Sequence, residues 1–450
     1  MLRTAVPQKQ LLQPHRGKIQ QRKNKTINKN NLMNNHFVIP DGFKKWSTGL
    51  MIVGLLSLLG GLFFLHPGAG SQGDNVSSTR FWAVLLQNSI YWLLLVNVSM
   101  FFMCIHTLAM GAWQIAFKRV TEAISSVVPI MGLLTFVIIL SIVFGHRTDI
   151  YPWLDRAAVA TDKGLSGNGK SIFLSPAFYT LFSIITLVLW VFIGKKMRRF
   201  SIESDAEGNM DFERANRWNL KNIKWAAAFV VIYGLTIGST LPWLWIMSID
   251  PHWASTMFSW YTFASTFVSG IALITLFVIY LKNRGELEYV THEHLHDLGK
   301  YMFAFSIFWT YLWFSQYMLI WYSNQPEETI YFIQRIGTAA HPGPYKGLFF
   351  FNLIINFVCP ILILMKKAAK RNYTLMTFMC VLIIFGHWID LYMMVMPGTV
   401  KGDPHLSWYE FGIPLGFIGF IMWGVGRFLS TVPLTPKNHP FLKESIIHHT

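Results

Sequence analysis

The first sign of chemistry in this chain is a pair of ionisable side chains inside one apolar run. In RNYTLMTFMCVLIIFGHWIDLYMMVMPG, residues 371–398, His387 and Asp390 stand three residues apart in a stretch long enough to cross a bilayer. Leaving either group unpartnered in hydrocarbon costs several kcal/mol. On a helix they share a face and can partner each other or one neighbouring helix. One reading is a satisfied polar pair that fixes helix packing. The other, which the cost of intramembrane charge favours, is a proton-carrying or quinone-contacting site.

Other candidates lie elsewhere in or beside apolar runs. His106 sits about 18 Å of helical rise before Lys118, as a packing hydrogen bond or as a ligand or proton site. Glu122, next to Lys118 and Arg119, reads as a first-turn acid satisfying a helix dipole, with a place in a relay as the alternative. In THEHLHDLGK, residues 291–300, Asp297 and Lys300 are again three apart and suit a proton entry or a surface ion pair. His292 and His296 have a metal-ligand spacing there, but the stretch lacks the context of a zinc hydrolase. Finally, FGHRTDIY at 144–151 echoes FGHWIDLY at 385–392, which adds His146 and Asp149 and raises a duplicated bundle or chance.

Apolar helices must position these groups. With 53% hydrophobic and 13% charged residues among 450, the chain reads as an all-α polytopic membrane protein. About ten spans are expected, at 46–66, 82–110, 123–145, 174–194, 223–247, 255–281, 301–322, 347–365, 373–397 and 408–430. Each must be a helix, because backbone polar groups facing lipid need partners in their own segment. Basic residues gather in alternate loops, so the positive-inside rule puts both termini in the cytoplasm. Eight of the 38 Lys and Arg are then left outside.

Three regions follow: a basic tail over 1–45, a ten-helix domain over 46–430 and a cytoplasmic C-terminal tail over 431–450. The net charge of +16 does not imply nucleic acid, since half of it lies in residues 1–40, where no acid occurs. That segment, rich in Asn, Gln and Lys, is expected to be disordered and to attract anionic headgroups. Met33 is an alternative start, and the first span serves as the insertion signal. Cys104, Cys359 and Cys380 fall inside spans without CxxC or CxxCH spacing, which argues against zinc, iron–sulfur clusters and covalently attached haem. No phosphate loop, metal cluster or nucleophile triad is evident, and the two histidines well inside spans lie at different depths for a haem. The chain therefore lacks a redox centre of its own but can hold a lipophilic ligand or relay protons.

Five stretches together resemble one family. They are YPWLDRAAVATDKGLSGNGKSIFLSPAFY at 151–179, SIDPHWASTMFSWYTFAS at 248–265, HDLGKYMFAFSIFWTYLWFSQYMLIWYSNQPEET at 296–329, HWIDLYMMVMP at 387–397 and PLTPKNHPFLKES at 433–445. In them the chain resembles the F subunit of bacterial alternative complex III, a quinol to cytochrome c or copper-protein oxidoreductase. Where the family has Trp in its DLYW segment, this chain has Met393. The resemblance implies two four-helix bundles plus two peripheral helices, related to polysulfide-reductase-type membrane subunits. It also implies a place in the bacterial inner membrane beside a homologous C subunit, an iron–sulfur B subunit and haem c subunits, with a terminal oxidase as a further partner. Many sequences of this kind are labelled quinone-binding, yet the family's better-supported quinol site belongs to the C subunit.

The expectation is a subunit without a covalently bound cofactor that relays protons and contacts menaquinone or another quinone. Asp390 and His387 would form the outer part of the relay, with Glu122, His106, Asp297 and Lys300 toward the cytoplasm. The rivals are a stand-alone transporter, which calls for broken helices at corresponding positions of two halves, and a purely structural scaffold.

Overall fold

The computed structural model describes residues 37–65, 76–208, 210–338, 340–402, 404 and 406–449. Among them are helices and no strand. Among the described residues nine helices are long and apolar enough to cross a membrane, so the chain is a multi-pass membrane protein. They are α1 (Asp41–Phe64), α2 (Val76–Leu108), α3 (Ala112–Phe144), α4 (Pro176–Ala206), α5 (Phe212–Ile249) and α6 (Met257–Asn283). After these come α7 (His292–Ser323), then α8 (Lys346–Leu364), α9 (Tyr373–Thr399) and α10 (Trp408–Leu429). The tenth expected span is α7, 32 residues long. Its Trp, Tyr, Ser and Gln residues lower its hydropathy below that of the other nine. The expected tail over 1–45 falls mostly outside the described residues, and its last five residues belong to α1.

Local chemistry starts these helices where they start. Ser175 accepts the Phe178 N–H ahead of Pro176, and Asp211 and Asn372 accept N–H groups of the first turns of α5 and α9. Capping boxes open α7, between Thr291 and His294, and α10, between Ser407 and Glu410. Two spans contain a π-helical turn just before a proline: Thr236–Thr240 before Pro242 in α5 and Ile354–Val358 before Pro360 in α8. A proline lacks the N–H of a regular turn, and a π turn absorbs the misfit. Neither helix breaks, and the two turns do not occupy corresponding places in the two halves.

Helices α2, α3, α4 and α5 form one four-membered ring and α6, α7, α8 and α9 a second; α2 packs against α6 and α9 to join them. Helices α1 and α10 pair with each other outside both rings. Their approach is close because glycines meet: a Cβ added at Gly54 would lie 2.2 Å from the Gly416 Cα. This is the architecture of two bundles and two peripheral helices expected above.

Contacts gather the connections at two ends. At the end rich in Lys and Arg, the segment after α10 folds back over the bundle. There Asp205 accepts N–H groups of Lys437 and Asn438, Ser445 Oγ bonds the Trp113 carbonyl and the Ala116 N–H, and His448 reaches Asp297. The last turn of α4 thus receives the chain's own C-terminal segment. At the opposite end, Tyr151 donates to the Trp245 carbonyl and the Trp253 indole to the Glu328 carbonyl.

Candidate functional site: a buried carboxylate on α9

Helix α9 is buried on nearly every side from Gly386 to Pro397. Its rotation is set by polar contacts with α2, which carries Gln87 and Asn88 at the same level. The Trp388 indole donates to Asn88 Oδ1 at 2.9 Å, and Gln87 Nε2 donates to the Trp388 carbonyl at 3.2 Å. On the facing side, Gly386 lets α8 approach so closely that an added Cβ would sit 2.2 Å from Asn356 Oδ1. Asp390 is thereby turned toward α6, α7 and α8.

The Asp390 side chain has no exposed surface, and three neutral donors converge on it. The Trp309 Nε1–H donates to Oδ2 at 2.9 Å and the Asn352 amide to Oδ1 at 2.8 Å, while the Tyr261 hydroxyl donates to Oδ1 as well. Asn356, in the π turn of α8, extends this chain by donating to Asn352 Oδ1 at 2.6 Å. A buried carboxylate satisfied on both oxygens is tolerable where an unsatisfied one is not.

His387 lies in the same cluster but is not Asp390's partner. Its Nδ1 is 3.9 Å from Asp390 Oδ2, beyond hydrogen-bond reach, and 3.0 Å from Ser265 Oγ. Its Nε2 is buried without a hydrogen-bond partner among the described residues. Of the two arrangements the i, i+3 spacing allowed, bonding each other or bonding neighbouring helices, the structure realises the second. Shared face is not shared bond, and the neighbouring helices offer better donors.

A cavity of about 20 Å³ touches Asp390, Tyr261, Asn352, Gln316 and Arg335. It has room for about one water. A second, of about 10 Å³, continues past Arg335 and Tyr331 to Asp250. Between them the Arg335 guanidinium lies over the Tyr331 ring at 3.4 Å, and Arg335 is only 2% exposed. Its Nε donates at 3.0 Å to the Met393 carbonyl, whose usual helical donor four residues on is Pro397 and has no N–H. Arg335 comes from Pro326–Ile336, a short helix not read from the sequence.

The remaining candidates fall in three other places. His106 is buried with Nδ1 2.8 Å from the Phe102 carbonyl and Nε2 3.1 Å from the Tyr301 hydroxyl. One turn before Tyr301, Asp297 holds Lys300 at 2.5 Å and His448 Nε2 at 2.6 Å. His294, in the first turn of α7 and outside the apolar span, accepts the Thr291 N–H on Nδ1 at 3.1 Å. Burial, and then the charge of His448, hold its imidazole down at about 4. His292 contacts the Arg371 carbonyl at 3.0 Å instead.

From Tyr301 to Trp309 is about 12 Å of helix, occupied by the Phe305 ring against Phe267. The expected single relay is therefore two polar clusters with phenylalanines between them. Glu122 joins neither. It is fully buried in an ion network with Arg119, Lys118 at 3.9 Å and, through Arg119, Asp205, so it ties α3 to α4 rather than answering a helix dipole.

His146 and Asp149 lie at the opposite end from the basic loops. His146 is exposed at a left-handed turn, φ 46°, and Asp149 Oδ2 accepts from Thr79 at 2.6 Å and Arg147 at 2.7 Å. The first FGHxxD is thus a turn beyond α3 and the second lies inside α9, so the echo does not mark equivalent places. Tyr261, Trp309, Asn352, Arg335, Tyr301 and His448 were not singled out from the sequence. A usable signal existed for two of them, since Tyr261 with Ser265 and Asn352 with Asn356 are i, i+4 polar pairs within apolar runs.

No protein-family model and no curated protein matches the chain.

Proposed function

We propose that this chain is a proton-handling membrane subunit of a respiratory quinol oxidoreductase of the alternative complex III kind, with its basic end on the cytoplasmic side of a bacterial inner membrane. Membership of such a complex rests on the five resembling stretches. The proton role rests on one observation: a fully buried carboxylate, Asp390, adjoins a cavity the size of a water.

That size favours proton transfer over quinone contact at Asp390, because sites for ring-sized ligands run to roughly 300 Å³ and more. A proton taken up by the Asp390 carboxylate from the cytoplasmic side passes on to water in the first cavity, then past Arg335 and Tyr331 to the second, where Asp250 lines the wall. On the cytoplasmic side His448, Asp297, Tyr301 and His106 collect protons, and the Phe305–Phe267 contact must open or admit water for the two clusters to connect. The electron carriers belong to neighbouring subunits.

Two measurements test this. The affinity-purified protein is expected to bring haem c and iron–sulfur absorbance with it. In that complex, Asp390→Asn is expected to preserve assembly while lowering quinol oxidation or proton release. A chain that purifies alone, or a variant with unchanged turnover and proton stoichiometry, overturns the proposal.

A further inference from the structure

Three helices of the second ring each bury a polar side chain with one atom unanswered. Ser306 on α7, Asn356 on α8 and His387 on α9 have no exposed surface, and Ser306 Oγ, Asn356 Oδ1 and His387 Nε2 make no hydrogen bond among the described residues. Each such atom destabilises the fold unless something answers it.

Helix registers bring the three to one level. Trp309 on α7 bonds Asp390 on α9, and both helices run away from the basic end. Ser306 stands three residues before Trp309 and His387 three before Asp390, so each lies about 4.5 Å nearer the basic end than that bonded pair. Nearer still to that end, the Met302 and Cys380 sulfurs are 3.8 Å apart, so α7 and α9 touch on both sides of Ser306. Helix α8 runs the opposite way, and its Asn356 follows Asn352, a donor to Asp390, by four residues. A Cβ added at Gly386, the neighbour of His387, would lie 2.2 Å from Asn356 Oδ1. Ser265 on α6 completes the layer, its Oγ 3.0 Å from His387 Nδ1.

The unanswered atoms match one small neutral ligand. Asn356 Oδ1 can only accept, the Ser306 hydroxyl can donate, and His387 Nε2 accepts when the ring hydrogen is on Nδ1. A molecule that donates twice and accepts once therefore satisfies all three. Water does so, and these four side chains include no carboxylate to balance a cation. We propose that one buried water sits in this layer, accepting from Ser306 and donating to Asn356 Oδ1 and His387 Nε2. The imidazole then donates its Nδ1 hydrogen to Ser265 Oγ. Through this water His387 reaches Asp390 by way of Asn356 and Asn352, although the two do not bond each other. The site stands on the unanswered atoms and is independent of the proton-handling role.

The test is a density map of the purified protein or its complex fine enough to show ordered water, joined to a thermal double-mutant cycle in detergent. The map is expected to show one water-sized peak within hydrogen-bond distance of all three atoms. Ser306→Ala and Asn356→Leu should each release that water, so the fall in melting temperature of the double variant should be smaller than the sum of the two single falls. The Asn356–Asn352 bond is lost in both arms that carry Asn356→Leu, and its effect cancels. Ile185→Ala, on the exposed face of α4, should instead add to Asn356→Leu. Three side chains bonded to protein partners with no peak among them overturn the proposal. So does a peak larger than water or bonded at metal-ligand distances, or additive falls for Ser306→Ala with Asn356→Leu. If Asn356→Leu does not fold, the map of the unaltered protein decides alone.

Discussion

The Trp309 indole and the Asp390 carboxylate meet across the α7–α9 contact, Nε1 2.9 Å from Oδ2, and the His387 ring stands edge-on to the same indole with centroids 5.4 Å apart. One side chain thus joins the buried acid to the buried base, which do not bond each other.

Substitutions at Asp390 should rank by the donors they strand. Asp390→Asn keeps one carbonyl oxygen but turns its own amide toward a donor, a cost of about 1–3 kcal/mol. Asp390→Ala leaves three donors unanswered beside a new void, and about 3–5 kcal/mol is expected. Thermal unfolding in detergent should order wild type above Asn and Asn above Ala. An alanine variant as stable as wild type contradicts the contact scheme.

At Gly386 the expected effect is steric. Alanine there would place its Cβ 2.2 Å from Asn356 Oδ1 and 2.3 Å from Ile355 Cγ2, so those side chains, or α8 with them, must shift. About 1–3 kcal/mol of destabilisation follows, and the Asn356–Asn352–Asp390 chain stretches. Gly386→Ala should therefore lower both the melting temperature and any activity that depends on Asp390.

Arg335 answers a carbonyl that Pro397 orphans. Arg335→Met should cost about 1–3 kcal/mol for the Met393 oxygen alone, and Pro397→Ala supplies an amide N–H for that same oxygen. In a double-mutant cycle the cost of Arg335→Met should shrink in the Pro397→Ala background. Additive costs would show that Arg335 does not serve as that carbonyl's donor.

His294 predicts a pH dependence. Its folded-state pKa, about 4, lies below the ordinary 6.5, so the unfolded chain binds the extra proton first as pH falls. Its contribution is full above pH 6.5 and is lost progressively toward pH 4, amounting to no more than about 3 kcal/mol. Protonation also places a hydrogen on Nδ1, which now accepts the Thr291 N–H. Gln at this third helical position accepts the same bond without titrating. His294→Gln should flatten the fall in melting temperature between pH 6.5 and 4, and an unchanged slope assigns the effect to another group.

The two-bundle layout was implied only by the family resemblance, whereas the helices were legible in the sequence because hydrocarbon imposes a local rule. Each segment crossing it must satisfy its own backbone, so apolar length alone marks the spans, and α9 was placed to within two residues. The same rule exposed Asp390, His387 and His106 as groups needing partners. It missed the Pro326–Ile336 helix and the docking of the C-terminal segment, where no lipid sets the pattern.

Partners were another matter. The three-residue spacing put His387 and Asp390 on one face, but a period says nothing about how far α9 is rotated or which helix stands opposite. Those were decided by Gly386 against Asn356, by Trp388 against Asn88 and by Asn352, whose amide lies 2.8 Å from the carboxylate. Glu122 makes the same point from the other side, since a buried Arg119 and a distant Asp205 made an ion network of what the sequence offered as a helix-end acid. Sequence determined that these charges would be buried, because a polar atom's cost in oil depends on its own segment; tertiary packing alone decided who would answer them, because that depends on side chains brought together from far along the chain.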